Sequence, residues 1–312
     1  MLVEQVLEAL ALRPAGLYVD ATFGRGGHSA RILETLGPGG CLIALDRDPD
    51  AIAAGRVRFA LEPRIRLVHA EFGALDAAVR AHAARAHCDG ILFDFGVASP
   101  QLDDPARGFS FSHDGPLDMR MDPTRGRPVA AWLAEANRDE IRDVIASLGE
   151  ERFAGRIASE IVRAREARPL TRTVELAALV ARCVRTREPG KHPATRTFQA
   201  LRMYINDELG QIERGLGQAL DLLAPGGRLV AISFHSLEDR IVKQFIRRHS
   251  EPDPILTRLP LPDQALPPAL RPALRRVGNK QRAGAEELRA NARARSALLR
   301  VAERVRMAER AP

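Results

Sequence analysis

The stretch GLYVDATFGRGGHS, residues 16–29, joins a short apolar run to a glycine-rich segment. Gly16–Ala21 has the composition of a buried strand, and a helical pattern follows at Ser29–Leu36. Glycines between a strand and a helix let the backbone approach a ligand closely. The spacing is G-x-G-G, not the G-x-G-x-x-G of dinucleotide-binding folds. It indicates a ligand without a pyrophosphate, with Asp20 orienting waters or an ammonium group, or else a turn that serves chain geometry alone.

Short apolar strands alternate with helical patterns through the first third of the chain. The predicted strands are Gly16–Ala21, Cys41–Leu45, Ile65–His69 and Asp89–Phe93, and the predicted helices are Ser29–Leu36, Pro49–Phe59 and Ala74–Ala86. Continuous apolar strands separated by helices are typical of a parallel sheet that is covered on both faces. We therefore predict a doubly wound α/β fold.

The alternation stops after the fourth strand. Residues 101–128 are polar and aperiodic, and residues 129–187 contain only helical patterns, which indicates an inserted helical domain. The sheet pattern returns at Gly227–Ser233, after a long helix predicted for Phe198–Leu223. The expected domains are 1–103 and 206–312 for the two parts of the sheet domain and 104–205 for the insert.

The C-terminal part gives weaker signals. Ile255–Leu259 and Ser296–Ala302 are strand candidates. Arg258–Arg282 is rich in Pro and Arg and has little periodicity, and a loop of that length is usually functional or disordered.

The composition indicates a cytoplasmic protein with a polyanionic partner. The net charge is +7, which favours nucleic acid, although a coding bias towards Arg and Ala gives the same composition. No apolar run approaches the roughly 20 residues of a membrane span, and residues 1–12 lack the basic region of a signal peptide. Cys41, Cys88 and Cys183 form no C-x-x-C pair, so we expect reduced thiols and no metal site.

Three more positions follow predicted strands. Asp46 ends the second strand about 20 residues after the glycines, where an acid binds both hydroxyls of a ribose, although it could be a plain solvent-facing residue. Phe72, after the third strand, either packs on an adenine or belongs to the core. Asp94 follows the fourth strand, across the switch point where α/β sheets bind ligands. We expect these residues to line one site with the glycine loop.

The acidic, glycine-rich segment after Asp94 contains two phenylalanines. Phe109 and Phe111 flank Ser110, where they either stack a splayed-out base or anchor the loop to the core. No cysteine follows the fourth strand, which argues against a covalent attack on a pyrimidine ring.

Long motifs spread over nearly the whole chain resemble a known family. They are DATFGRGGHS (Asp20–Ser29), ALDRDP (Ala44–Pro49), DFGVASPQLDD (Asp94–Asp104), RGFSF (Arg107–Phe111), DGPLDMRMDP (Asp114–Pro123), HPATRTFQALR (His192–Arg202), LAPGGRL (Leu223–Leu229), ISFHSLEDRIVK (Ile232–Lys243) and ARSALLRVAER (Ala294–Arg304). They are similar to those of the bacterial RsmH (MraW) family, the 16S rRNA (cytosine-N4)-methyltransferases.

The resemblance implies a class I, Rossmann-like methyltransferase sheet with an all-helical insert and S-adenosylmethionine as cofactor. The implied cofactor contacts are Gly26, Gly27, His28, Asp46, Phe72, Asp94 and Gln101. The implied reaction is methylation of N4 of a decoding-centre (P-site) cytidine of 16S rRNA in the 30S subunit, with the insert recognising the RNA. Substrate contacts are then expected at Phe109, Phe111, Arg196, Arg202 and His235. Whether the chain acts as a monomer or a homodimer stays open.

Methylation of an exocyclic amine needs a group that accepts an amine hydrogen bond and later the proton. Asp94 or a backbone carbonyl of Gly96–Ser99 could do this, and Asp94 is the candidate catalytic residue. For the segment around His235, the structural alternative is a helix start with Ser236 as cap and Asp239 as capping-box acid.

The chain departs from the family pattern at a few positions. The family usually has a His-x-Pro-Val segment before the first helix, where this chain reads Met1-Leu-Val-Glu. Ala98 and Ala292 stand where Ser and Pro are common. A catalytically idle RNA-binding protein on the same scaffold is the alternative function. The G-x-G-G loop argues against an oxidoreductase, and the lack of Asp/Asn-Pro-Pro-Tyr/Phe after the fourth strand argues against a DNA amino-methyltransferase.

Overall fold

The computed structural model describes residues 1–184, 192–251 and 271–305. The chain forms two compact units: a sheet unit of Met1–Gly96 with Leu209–Pro312, and a helical unit of Val97–Glu208. Each unit has its own buried apolar core. Within the described residues, every helix is too short or too polar to cross a membrane. The assignment of residues 104–205 to substrate recognition stays a prediction.

The strands are β1 (Leu17–Asp20), β2 (Cys41–Asp46), β3 (Ile65–His69), β4 (Cys88–Asp94), β5 (Leu223–Ser233), β6 (Leu274–Arg276), β7 (Gln281–Arg282) and β8 (Leu298–Arg304). The helices are α1 (Val3–Leu10), α2 (Gly27–Thr35), α3 (Pro49–Arg58), α4 (Leu75–His82), α5 (Ser99–Asp103), α6 (Val129–Glu135), α7 (Arg138–Gly149), α8 (Ala154–Ala167), α9 (Thr173–Cys183), α10 (Thr195–Ile205), α11 (Glu208–Leu222), α12 (Ser236–Ser250) and α13 (Ala285–Ala290).

The strands form one mostly parallel sheet in the order β3-β2-β1-β4-β5-β8-β6, and β7 pairs with β8. The first five strands run parallel, whereas β8 runs antiparallel to both β5 and β6. The doubly wound fold predicted from the sequence is confirmed. The strand order reverses between β1 and β4, and in such sheets ligands bind outside the carboxyl ends of the strands at this point.

Both faces of the sheet are buried, which explains why its strands are continuous apolar runs. Val19 and Ile91 point into one core, together with Val242 from α12. Leu92 points to the opposite face, where it packs in a second core with Ile32 from α2. Full burial of such a side chain stabilises the fold by roughly 1.5–3 kcal/mol, so the alternation of faces fixes the register of each strand.

The long helix predicted for residues 198–223 is two helices, α10 and α11, so this prediction was wrong. The chain breaks at Asn206 and at Asp207, which has a φ of +48°. The buried Asn206 side chain accepts a hydrogen bond from Met121 N at 2.8 Å and donates one to the Met119 carbonyl at 2.7 Å. The break therefore depends on a tertiary contact that helical periodicity does not reveal.

The C-terminal strands also differ from the prediction. β5 begins at Leu223, four residues before the predicted start at Gly227. The pairing with β4 shifts within this added part, where Gly226 has a φ of +83°. β8 begins and ends two residues later than predicted, and β6 and β7 lie in the stretch predicted as a loop. Ile255–Leu259 lies outside the described residues.

The helical unit packs α6 to α10 around a core that includes Trp132, Ile141 and Ile157. The predicted helical patterns of this region are confirmed as α6 to α9. In the polar segment before α6, two stretches of backbone lie in close contact at Gly108 and Pro116. Gly108 has a φ of +73°, and a Cβ there would clash with the Pro116 carbonyl, so this position requires glycine.

Candidate active site

Polar side chains lie at the carboxyl ends of adjacent strands in the sheet unit. Asp46, Asp20, Asp94 and Ser233 end β2, β1, β4 and β5, which are neighbours and run parallel. The structure thus brings the residues that were expected from these strand ends to one edge, which we call the acidic edge. It coincides with the point where the strand order reverses.

The loop between β1 and α2 leaves room for a ligand at the acidic edge. Gly26 has a φ of +68°, and a Cβ there would lie 2.6 Å from the Phe23 ring, so a larger residue is excluded. A Cβ on Gly27, the first residue of α2, would meet nothing within 4 Å. The free amides at a helix start bind ligand oxygens. This loop therefore offers both space and donors.

Asp46 is held by two backbone amides. Its Oδ2 accepts a hydrogen bond from Gly24 N at 2.6 Å, and its Oδ1 accepts one from Asp48 N at 2.8 Å. Burial raises the pKa of Asp46 to about 6, against the lowering effect of these amides. Each oxygen keeps a further lone pair, which suits a carboxylate that binds the neighbouring hydroxyls of a ribose.

Asp94 is a largely buried carboxylate with one unused oxygen. Asp94 N donates to Thr22 Oγ1 at 2.7 Å, and Asp94 Oδ2 lies 3.7 Å from His28 Nδ1. The Oδ1 atom is buried and has no hydrogen-bond partner among the described residues. Burial raises the pKa of Asp94 to about 6, although the nearby His28 acts in the opposite direction. A buried acceptor without a donor is costly, so Oδ1 is suited to a donor on a ligand.

His28 and Asp20 are buried residues near Asp94 whose charges act on it in opposite directions. His28 is buried, and its Nε2 lies 2.8 Å from the Met1 carbonyl oxygen. Asp20 is fully buried; one oxygen accepts the Ser29 hydroxyl at 2.7 Å and the other a loop amide at 3.2 Å. Burial raises the pKa of Asp20, partly offset by His28. Asp20 differs from Asp46 in having no exposed surface, so its two accepted hydrogen bonds organise the loop, whereas the sequence suggested a direct role in orienting waters or an ammonium group.

Phe72 packs against the core, which is one of the two roles that the sequence left open. Its ring centroid lies 5.9 Å from that of Phe93 and 5.8 Å from that of Phe95, so one side belongs to the core. The side chain is only half-buried, at the end of β3 and beside the acidic strand ends. Its contact with a cofactor stays a prediction.

The first turn of α12 begins one residue earlier than the structural alternative had it. The cap is His235 and the capping-box acid is Glu238, so the assignment to Ser236 and Asp239 was wrong. Glu238 is fully buried and accepts a hydrogen bond from the Phe234 amide at 2.7 Å, and its Oε1 lies 3.0 Å from His235 Nε2. His235 is thus held against its own helix, and its contact with a substrate stays a prediction.

Two buried polar residues at this edge were missed from the sequence. Glu238 contributes to the negative field that raises the pKa of Asp94, after the larger effect of burial. The Ser233 hydroxyl is buried and has no hydrogen-bond partner among the described residues. The spacing of Glu238, three residues after His235, was the available signal for the first; only its place at a strand end marks Ser233.

Gln101 belongs to the helical unit and lies on α5, the first helix after β4. It is buried, and its Oε1 accepts a hydrogen bond from Ala98 N at 3.0 Å, which caps α5. Its contact with a cofactor stays a prediction.

The two phenylalanines of the RGFSF motif have different surroundings in the helical unit. Phe109 is 5% exposed in the core, which supports the anchoring role over base stacking. Phe111 is half-buried; it stacks on the exposed His192 ring, with centroids 4.7 Å apart, and meets the edge of Phe198 at 5.4 Å. Of the two, Phe111 is the residue placed to extend a stack to a base.

The two candidate RNA-binding arginines are engaged within the helical unit. Arg196 donates to the Glu150 carbonyl at 2.7 Å. Arg202 forms a bidentate pair with Glu208, at 2.7 and 2.9 Å, and both side chains are mostly buried. Replacing Arg202 would therefore leave the buried Glu208 carboxylate without its ion-pair partner. This structural role accounts for Arg202 without a contact to RNA.

The chain is similar to curated proteins over nearly its whole length. The sequence profile described as "MraW methylase family" matches residues 1–305. "Ribosomal RNA small subunit methyltransferase H" of Azoarcus sp. is 55% identical over 304 residues, which is 97% of this chain and 96% of the relative. The protein of the same name from Thioalkalivibrio sulfidiphilus is 54% identical over 305 residues, covering 98% and 96%.

The similarity to solved structures is lower, both in sequence identity and in TM-score. An rRNA methylase from Streptococcus thermophilus has a TM-score of 0.43 and 12% identity, covering 98% of both chains. Similarity this low says nothing about function. The profile match and the identity to curated relatives are decisive, and they confirm the resemblance seen in the motifs: the chain belongs to the MraW methylase family, whose members are Rossmann-like methyltransferases that use S-adenosylmethionine.

Proposed function

We propose that this chain transfers the methyl group of S-adenosylmethionine to the exocyclic N4 of a decoding-centre (P-site) cytidine of 16S rRNA in the 30S subunit. The names of its relatives, small-subunit rRNA methyltransferases more than 50% identical over nearly the full chain, support the substrate class. The buried Oδ1 of Asp94, which has no hydrogen-bond partner in the described part of the chain, supports an amine as the group that is methylated.

The residues of the acidic edge fit the proposed cofactor. The open space at Gly27 and the free amides of α2 suit its methionine part, and the amide-held carboxylate of Asp46 suits its ribose. Phe72 and Gln101 complete the proposed set, together with Gly26, His28 and Asp94. When bound, the cofactor supplies a methyl group on a sulfonium that is its own leaving group.

Asp94 is proposed to act on the amine. Its Oδ1 would accept an N4 hydrogen bond, which localises the amine lone pair towards the incoming methyl carbon. Oδ1 would also take the surplus proton that methylation leaves on the amine and pass it to solvent. A pKa of about 6 keeps Asp94 mostly ionised at neutral pH and still close enough to accept a proton.

The helical unit is proposed to recognise the RNA. The Phe111–His192 stack presents an exposed ring, and an exposed aromatic ring can stack a splayed-out base. Arg196 lies on the same helix as Phe198, which supports the stack from its edge.

The direct test is transfer of labelled methyl from S-adenosylmethionine to small ribosomal subunits from cells that lack the modification, with naked 16S rRNA alongside. We expect label in the subunits, at one cytidine, and loss of label with Asp94→Ala. Folded chain that binds subunits but transfers no label would favour the idle RNA-binding protein.

A further inference from the structure

The sheet unit contains a cavity of about 1040 Å³ that lies away from the acidic edge. It is lined by α12, by β6 with the turn that follows it, by β8, and by residues at the start of β4 and β5. Cys88 and Asp94 are the two ends of β4, which spans about 20 Å at the usual rise per residue. We call this site, at the amino ends of the strands, the basic cavity.

The lining of the basic cavity is strongly cationic. Among the described residues, its Lys and Arg residues are Lys243, Arg247, Arg271, Arg275, Arg276, Lys280, Arg300 and Arg304, and its acids are Asp221 and Glu251. Arg275 and Arg300 are neutralised by pairs with Glu303 and Asp239. An excess of positive charge therefore remains in one concave site.

Three of these cations are exposed and carry no ion pair with any described residue: Lys243, Arg276 and Lys280. They come from two different elements, α12 and the β6 region, so they face the cavity from two sides. The nearby His249 is consistent with this field. Burial and the charges of Arg248 and Arg304 lower its pKa. Exposed cations that are not paired within the described part of the chain attract phosphate groups.

The floor of the cavity is apolar. Leu223, Ile246, Leu274 and Val301 line it beneath the charged rim. A ribose or base can lie against such a floor while the phosphates meet the rim, whereas the carboxylates of an acidic peptide would gain only from the rim. Charge and shape together favour a nucleotide chain over an acidic protein.

We propose that the basic cavity binds the sugar–phosphate backbone of the RNA substrate at a place remote from the target base. The inference rests on the proposed function, because it takes the bound RNA to be the methylated one. Contacts so far from the reacting atoms tighten binding without changing the chemical step, so they lower KM and leave kcat unchanged.

The test uses the full chain with Arg276→Glu/Lys280→Glu, against Arg56→Glu/Arg66→Glu as a control with the same charge change on exposed residues outside the cavity. Binding to small ribosomal subunits is titrated between about 50 and about 300 mM salt. We expect the cavity variant to bind roughly tenfold more weakly, with a salt slope smaller by about two, one for each phosphate group that is no longer neutralised. KM for methyl transfer should rise to match, at unchanged kcat, and the control should stay within about twofold of wild type.

The neutral variant Arg276→Gln/Lys280→Gln should show the same change to a smaller extent, with unchanged circular dichroism. Equal affinities and slopes for the cavity and control variants would overturn the proposal. So would displacement of RNA by polyglutamate as readily as by polyuridylate of equal charge. Wild-type chain that binds subunits with this cavity dependence but transfers no methyl would contradict the proposed function alone, since the binding comparison does not need catalysis.

Discussion

At the scale of a single residue, Asp94 lowers the stability of the fold while its carboxylate is proposed to serve the reaction. A carboxylate buried at the end of β4 loses its hydration, and its Oδ1 recovers no hydrogen bond among the described residues. The raised pKa expresses this cost of ionisation in the folded state. Proteins retain such groups where a ligand uses them, so the cost of burying Asp94 is itself an argument for its proposed role.

Asp94→Asn keeps the shape of the side chain and removes its charge. A folded pKa of about 6, above the ordinary value of 3.8, means that the wild-type carboxylate costs stability above pH 6, and that this cost disappears as the pH falls below about 4. We expect the free energy of unfolding of the variant to exceed that of wild type by about 3 kcal/mol at pH 8, a difference that shrinks towards pH 4. We also expect the variant to lose methyl transfer.

Chemical denaturation at several pH values measures this gain, and labelled transfer measures the loss. The matched control is Asp76→Asn, a partly exposed acid on α4 that forms an ion pair with the exposed Arg80, for which little change is expected. A variant of Asp94 with wild-type turnover would remove this residue from the mechanism.

At the scale of elements, the turn between α10 and α11 depends on one side chain. Asn206 bonds to the backbone of residues 119 and 121 and to the Arg202 carbonyl, all within the helical unit. Arg202 in turn holds Glu208 at the start of α11. The break is thus built from hydrogen bonds between segments far apart in sequence.

Asn206→Ala leaves the Met121 amide and the Met119 carbonyl buried without partners. Each orphaned group costs about 1–3 kcal/mol, so we expect the free energy of unfolding of the helical unit to fall by about 3 kcal/mol in thermal or chemical melts. Ser147→Ala, which removes an exposed hydroxyl on α7, should change it by less than about 0.5 kcal/mol. A melt unchanged by Asn206→Ala would show that the break has another cause.

What the sequence could predict follows from the range of the forces involved. β1 to β4 lie within one residue of their predicted bounds, because burial on both faces leaves a continuous apolar run. The α10–α11 break was missed because it needs contacts to residues 119–121. The His235 cap was missed because the sequence does not show which of two adjacent polar side chains accepts the hydrogen bond from the first turn of α12. In the site, strand ends predicted Asp46 and Asp94, but the burial of Glu238 and Ser233 appears only in three dimensions.

At the scale of the whole molecule, two charge systems have opposite signs. The acidic edge gathers Asp20, Asp46 and Asp94 at the carboxyl ends of the strands, where a cofactor with a positive sulfonium is proposed to bind. The basic cavity gathers cations at the amino ends, where the polyanionic substrate is proposed to bind. Only the family motifs, and not the net charge of +7, pointed to a specific RNA.

The chemical identity of the methylated nucleoside tests the central claim most directly. Small subunits from cells lacking the modification would be incubated with the chain and labelled cofactor, digested to nucleosides and analysed by mass spectrometry. The account predicts that the label appears as N4-methylcytidine, from one position of 16S rRNA. Label in 5-methylcytidine, or in any other nucleoside, would contradict the assignment of Asp94 to an exocyclic amine.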